Sequence, residues 1–300
     1  MSAGLSMSET RKIPSCKGPD PDTRTPRHRA PPGACDAHCH VFGPATTFPY
    51  VPDRAYTPPD APYEDLVQLH RTLGIERAVI VHASCHGSDM AVTLDAIARS
   101  NGAMRGVCVV DPGVMDAELA HLHAGGIRGV RFNFVRHLGG TPDMACFQRV
   151  LAQVEPLGWH VVLHLDAQDI VPLAPVLSAL RIPFVIDHMG RVRARDGLEQ
   201  PAFRELLGLM RNPLAWVKIC GAERVSSAGA PFRDALPFAR ALVALAPDRV
   251  LWGTDWPHPN IAGDMPNDGD LVDLLAEAVE NDTDRRRVLV DNPSRLYWND

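Results

Sequence analysis

The sequence predicts a TIM-type (β/α)8 barrel of the α/β class, on three observations. Eight short runs of aliphatic and β-branched residues alternate with helical patterns along the chain. Most of these runs are nearly continuous in valine, isoleucine and leucine, as parallel strands buried on both faces require. Residues able to do chemistry also gather where the runs end, and barrels of this kind keep their active sites at the C-terminal ends of the strands. A doubly wound sheet is the competing architecture, but no glycine-rich dinucleotide loop follows the first run.

The elements follow in order. Strand 35–40 (CDAHCH) precedes a long loop and helix 63–73, which Gly74 closes. Strand 78–83 (AVIVHA) leads to helix 90–99, stopped by Asn101 and Gly102. Strand 106–110 (GVCVV) leads to helix 116–124, stopped by Gly125 and Gly126, and strand 129–134 (GVRFNF) to helix 144–157, stopped by Gly158. Glycine suits these ends because it adopts the left-handed conformation that closes a helix. Strands 160–165 (HVVLHL) and 184–188 (FVIDH) pair with helices 170–180 and 202–210. Strands 216–220 (WVKIC) and 250–254 (VLWGT) pair with helices 233–245 and 271–279.

Three hundred residues, 45% of them hydrophobic, suffice for one large core. We expect a single barrel domain over residues 34–300, preceded by a proline- and arginine-rich N-terminal arm over 1–33. The arm lacks the apolar segment of a secretory signal. A formal net charge of −6 without a long basic run argues against nucleic acid as a partner. No apolar stretch approaches the roughly 18 residues needed to span a bilayer, so no membrane partner is expected. Seven cysteines without zinc-ribbon spacing are expected as reduced thiols in the cytoplasm.

Reading only the strand ends isolates a candidate site. His38 and His40, two apart in an extended strand, share one face while Cys39 points away. That pair suits a metal ion or an anionic substrate. The fourth strand offers Arg131 and Asn133, the fifth His164 and the sixth His188. The seventh ends near Cys220 with Arg224 beyond, and the eighth at Asp255. Four histidines and an aspartate thus converge on one rim.

The motifs DAHCHVFGP, GVRFNF, GWHVVLHL, IDHMGR and WGTDWPHPN, with the closing DNPSRLYW, together resemble the amidohydrolase superfamily. More narrowly they are similar to its lactonase branch, which contains 4-sulfomuconolactone hydrolase and 2-pyrone-4,6-dicarboxylate lactonase. The likeness runs from Ala34 to Trp298. It implies a metal-ligand pattern of His38, His40, His164, His188 and Asp255. Within it His38, His40 and Asp255 are the first-choice ligands and His164 the next, while His188 either binds the metal or polarises the lactone carbonyl. Arg131 and Asn133 stand where a bridging lysine or glutamate would hold a second metal, so one zinc ion is expected. His164 replaces a tyrosine of the metal-independent pyrone lactonase, and His137 replaces one of its substrate-binding arginines. Both departures favour the zinc-dependent sulfomuconolactone side.

Zinc takes nitrogen and carboxylate ligands, and in catalytic sites it keeps a position for water of pKa near about 7. Asp255 is expected to take a proton from the attacking water and return it to the departing ring oxygen. Arg131, Arg191 and Arg224 are expected to grip carboxylate or sulfonate oxygens as bidentate forks. Tyr56, Ser84, His137 and His258 complete the expected substrate contacts. Ser84 and Cys85 lack the base and elbow of a nucleophile, and Cys85 and Cys220 are expected to pack near the site. The resemblance implies a hydrolase of small anionic unsaturated lactones in bacterial aromatic catabolism, with 4-sulfomuconolactone opened to maleylacetate and sulfite. The alternatives are a metal-independent 2-pyrone-4,6-dicarboxylate lactonase and, behind it, a decarboxylase of the same superfamily. Homo-oligomerisation is left open.

Overall fold

The computed structural model describes residues 13–299, and its eight strands run parallel in chain order around a barrel. They are β1 (Cys35–Cys39), β2 (Arg77–Val81), β3 (Met104–Cys108), β4 (Ile127–Asn133), β5 (His160–His164), β6 (Phe184–Ile186), β7 (Ala215–Lys218) and β8 (Val250–Leu251). The seam between β8 and β1 is closed by backbone bonds just past the short last strand. Ala37 N donates to Trp252 O (2.9 Å), Asp255 N to His38 O (2.8 Å) and His40 N to Trp256 O (2.8 Å). The expected (β/α)8 architecture is the one observed.

Helices follow the strands: α1 (Tyr63–Leu73), α2 (Ala91–Arg99), α3 (Asp116–Ala124), α4 (Met144–Val154), α5 (Ala167–Ser178) and α6 (Pro201–Leu209). A short α7 (Ala222–Val225) and then α8 (Leu236–Leu245) follow β7, and α9 (Asp268–Ala278), α10 (Asp282–Arg286) and α11 (Asn292–Tyr297) follow β8. Local chemistry sets their ends. Asp143 caps α4 by accepting from Ala145 N at 2.9 Å, and Asn267 caps α9 by accepting from Gly269 N at 3.2 Å. In α4 the buried residues Phe147, Val150, Leu151 and Val154 recur at the three- and four-residue spacing of one helical face.

The two faces of the strands feed two apolar layers, which is why the runs read as continuous. Val79, Val81, Val107, Val162 and Val185 fill the barrel interior. Ile80, Cys108, Val161, Leu163, Phe184 and Ile186 pack outward in the larger core cluster. The buried Tyr297 meets His160, the first residue of β5, edge-on at 4.8 Å between ring centroids, and belongs to the interior cluster. It closes the end of the barrel opposite the strand C-termini.

Several strands end earlier than the apolar runs predict. The β6 run turns at Asp187, because His188, Met189, Gly190 and Arg191 take left-handed φ values of 52, 52, 64 and 50°. The β8 run stops at Leu251, because the residues beyond it bond to β1 rather than continuing a ladder. Helix 233–245 divides into a 3-10 turn at Arg233–Ala235 and α8. The helices α7, α10 and α11 are too short for periodicity to mark.

Within the expected arm, residues 1–12 lie outside the described residues. Residues 13–33 contain no helix or strand, apart from a bridge between Ser15 and Thr57. They run along the start of α9, where Arg24 N donates to Asn267 Oδ1 (3.0 Å) and Arg27 Nε to Asp273 Oδ2 (2.9 Å).

Asp36 ties the barrel seam together. Its Oδ1 accepts from His38 N and Thr254 N, both at 3.0 Å, and its Oδ2 accepts from Thr254 Oγ1 at 2.6 Å. His70 Nε2 stands 3.1 Å from the same Oδ2. Removing this buried acceptor leaves several donors unsatisfied. Asp36→Ala is therefore expected to cost about 3 kcal/mol, read as a fall of several degrees in Tm. An unchanged Tm would show that the bonds contribute nothing.

Candidate active site

A register shift in β1 between Asp36 and Cys39 sets the geometry of the site. Cys35 and Ala37 belong to the interior cluster, whereas Cys39 belongs to the outer one. The irregularity thus turns His38 and His40 into the barrel mouth and Cys39 away from it. The two imidazoles meet edge-on, with centroids 5.2 Å apart. Asp255, past β8, closes on both: its Oδ1 lies 3.4 Å from His38 Nε2 and 3.2 Å from His40 Nε2. These residues offer three ligand atoms within 4.8 Å of one another, all from buried side chains. The approach depends on Gly253, where a Cβ would lie 2.4 Å from His38 N.

Hydrogen bonds behind the rings identify the lone pairs. His40 Nδ1 sits 2.7 Å from Val81 O, so it carries the proton and donates. In the neutral ring, His40 Nε2 then presents a lone pair to a carboxylate oxygen 3.2 Å away. Two acceptors face each other at hydrogen-bond distance, an arrangement that calls for a cation or an added proton between them. His164 behaves similarly: its Nδ1 is 3.1 Å from Asn133 Oδ1, and its buried Nε2 has no partner. His188 Nε2 is 4.0 Å from Asp255 Oδ2, and its Nδ1 is 3.3 Å from the Cys220 thiol. Gly221 permits that contact, since a Cβ there would fall 2.7 Å from His188 Nδ1. The donor set fits a zinc ion.

Burial keeps the imidazoles of His38, His164 and His188 neutral. It lowers the pKa of His38 to about 4, helped by the nearby Lys218 charge, and holds His164 and His188 well below the ordinary range. Burial alone would raise Asp255, but the Arg224 guanidinium overcomes it and holds the carboxyl well below the usual range. Asp255 is therefore an ionised acceptor. Burial pushes the Cys85 thiol up to about 12 and raises the Cys220 thiol well above the ordinary range, so neither is a ready nucleophile.

Above this floor opens a narrow pocket. His40, Arg131, His164, His188, Arg224 and Asp255 line it, together with Tyr56, Ser84 and His137. Arg131 reaches in from β4, with Nη2 3.3 Å from Asp187 Oδ2. Arg224 comes from α7 and grips Asp255 Oδ2 through Nη2 at 2.6 Å and Nε at 2.8 Å. His38 lies in the floor.

Two expected substrate contacts are placed elsewhere. Arg191 pairs with Asp166 (Nε to Oδ1, 3.0 Å) and lines an adjoining groove that shares Arg224 with the pocket. His258 is buried behind the Trp256–Pro259 loop, with Nε2 3.1 Å from Asp268 Oδ1. Sequence reasoning also missed Asp187 and Lys218, both wholly buried beneath His38. The signal for Lys218 was a lone charge inside an apolar β7 run, where an unpaired lysine is rarely tolerated.

Comparison with known proteins places this geometry in context. The family described as Amidohydrolase matches residues 35–298. The chain is 47% identical over 287 residues to a 4-sulfomuconolactone hydrolase of Hydrogenophaga intermedia, covering 95% of each chain. It is 42% identical over 301 residues to a 2-pyrone-4,6-dicarboxylate hydrolase of Comamonas testosteroni, covering 97% of this chain and 99% of the relative. An apo crystal structure from Agrobacterium tumefaciens superposes with a TM-score of 0.81 at 28% identity, covering 92% of this chain and 99% of that one.

Proposed function

From a chain that belongs to the amidohydrolase family, we propose a zinc-dependent lactonase of aromatic catabolism whose substrate is 4-sulfomuconolactone. The carrying observation is the confrontation of His40 Nε2 and Asp255 Oδ1 at 3.2 Å, with His38 Nε2 beside them. His38, His40 and Asp255 would hold the ion, with His164 aimed into the same pocket. A zinc ion there would supply Lewis-acid activation of water at neutral pH. The relatives at 41–47% identity are named for lactone or pyrone hydrolysis, which supports an ester bond within a ring as the bond cleaved.

The chain's own groups divide the work. Asp255, ionised and at the pocket floor, takes the proton of the attacking water and returns it to the ring oxygen as the acyl–oxygen bond breaks. His188, 4.0 Å from Asp255, is placed to polarise the lactone carbonyl. Arg131 and Arg224 give the pocket the positive charge that an anionic lactone needs. When the ring-oxygen carbon also bears a sulfonate, opening yields an α-hydroxysulfonate. That product expels sulfite to form a ketone, maleylacetate, so the enzyme need only hydrolyse. No helix among the described residues is long and apolar enough to cross a membrane, and all seven cysteines are unpaired. We place the protein in the cytoplasm.

A panel of sulfonated and pyrone lactones, assayed with and without added zinc, tests this function. Zinc-dependent release of sulfite supports it, and exclusive opening of the pyrone without metal overturns it. That second reading, metal-free hydrolysis of 2-pyrone-4,6-dicarboxylate, draws on one observation, the Lys218 contact with His38 described below. Arg131→Met is expected to lower kcat/KM for the anionic lactone by about 10-fold or more, the scale of a charge-assisted hydrogen bond. Unchanged kinetics would remove Arg131 from substrate binding.

A further inference from the structure

Lys218 has no part in the chemistry above, yet its side chain is completely buried inside the barrel. Its Nζ lies 3.0 Å from His38 Nδ1 and 3.1 Å from Asp187 Oδ1, and Asp187 Oδ1 lies 3.3 Å from the same Nδ1. His38 Nδ1 therefore has two rival partners. Only the Lys218 contact has hydrogen-bond geometry, since both Asp187 oxygens lack a hydrogen-bonded partner. Arg131 stands 3.3 Å from Asp187 Oδ2 and gives that carboxylate a second counter-charge.

The rivals demand opposite tautomers. An ammonium offers three donors and no lone pair, so with Lys218 as partner Nδ1 must accept. The ring proton then sits on Nε2, which lies 3.4 Å from Asp255 Oδ1. Metal ligation needs the reverse, a lone pair on Nε2 and a proton on Nδ1 donated to a carboxylate. Asp187 Oδ1, 3.3 Å from Nδ1, is within reach to accept that proton.

We propose that Lys218 and Asp187 are positioning residues that select the tautomer of His38. Lys218 holds the ring as an Nε2–H donor in the metal-free protein, and Asp187 holds it as an Nε2 ligand when a divalent cation is bound. The exchange breaks the Nε2–H bond, whose proton passes to pocket water, and forms an Nδ1–H bond with a proton from water. The ring's proton count is unchanged. Only the cation-bound half rests on the zinc function proposed above.

The test begins with wild-type protein labelled with 15N-histidine and stripped of metal, read by two-bond 1H–15N correlation. The His38 signals are identified by their loss in His38→Gln. An Nε2–H pattern is expected, and an Nδ1–H pattern overturns the proposal. Zinc affinity is then measured by competition with a chromogenic chelator. Lys218→Met leaves Asp187 as the sole partner of Nδ1 and is expected to tighten zinc about 10-fold. Asp187→Asn is expected to weaken it about 10- to 100-fold, the usual effect of losing such a partner. Shifts in the same direction, or none, overturn the proposal. If Lys218→Met does not fold, the wild-type tautomer decides. A wild-type protein that shows Nε2–H but binds no zinc sinks the zinc function, and leaves the hold of Lys218 on His38 standing.

Discussion

Asp255→Asn is expected to lower kcat by about 10²- to 10⁴-fold, the range spanned by general acid–base groups, while the circular dichroism spectrum stays that of the parent. The substitution keeps the volume of the side chain and a carbonyl that can still accept from Arg224, which now grips Oδ2 at 2.6 Å. What it removes is the charge and the proton-accepting site. The carboxyl of Asp255 is held well below its usual range by Arg224, so at neutral pH the parent enzyme carries the base in its working form. The amide cannot take a proton from water, and no other carboxylate among the described residues lines the pocket. Activity within about 10-fold of the parent would show that another group moves the proton.

Removal of metal should have an effect of similar size. Dialysis against a chelator is expected to reduce turnover at least about 100-fold, on the scale of removing a preorganised electrostatic stabiliser. One equivalent of zinc should restore it. The expectation follows from His40, whose Nδ1–H is committed to Val81 O and whose Nε2 faces Asp255 Oδ1. Without a cation these two acceptors repel, and the floor of the pocket loses its organising charge. Zinc should also raise Tm in a concentration-dependent way, because a ligand that binds only the folded state stabilises it by mass action. Full turnover with metal content well below one equivalent would establish the metal-free alternative instead.

Most of the barrel could be read from the chain because strand and helix signals are local. An apolar run such as AVIV buries both faces of β2 wherever that strand stands, and Gly74 closes α1 in its own left-handed conformation. The positions of His38, His40, His164 and Asp255 at strand ends were legible for the same reason. The strand lengths were less so. Whether the β6 run continues past Ile186 depends on four consecutive residues with positive φ, and three of them are not glycine. No composition rule predicts such a turn, since those residues rarely adopt that conformation without tertiary support.

The sequence alone determined the order of elements, the buried character of each strand and the residue types offered at the barrel mouth, because these follow from periodicities of a few residues. The tertiary structure decided which of those groups meet. It moved Arg191 into a side groove and His258 behind the last loop, and set Lys218 against a histidine 180 positions away. Contacts across such distances depend on register, on a strand irregularity beside Asp36 and on the reach of individual side chains. Each of these is settled only when the whole barrel closes.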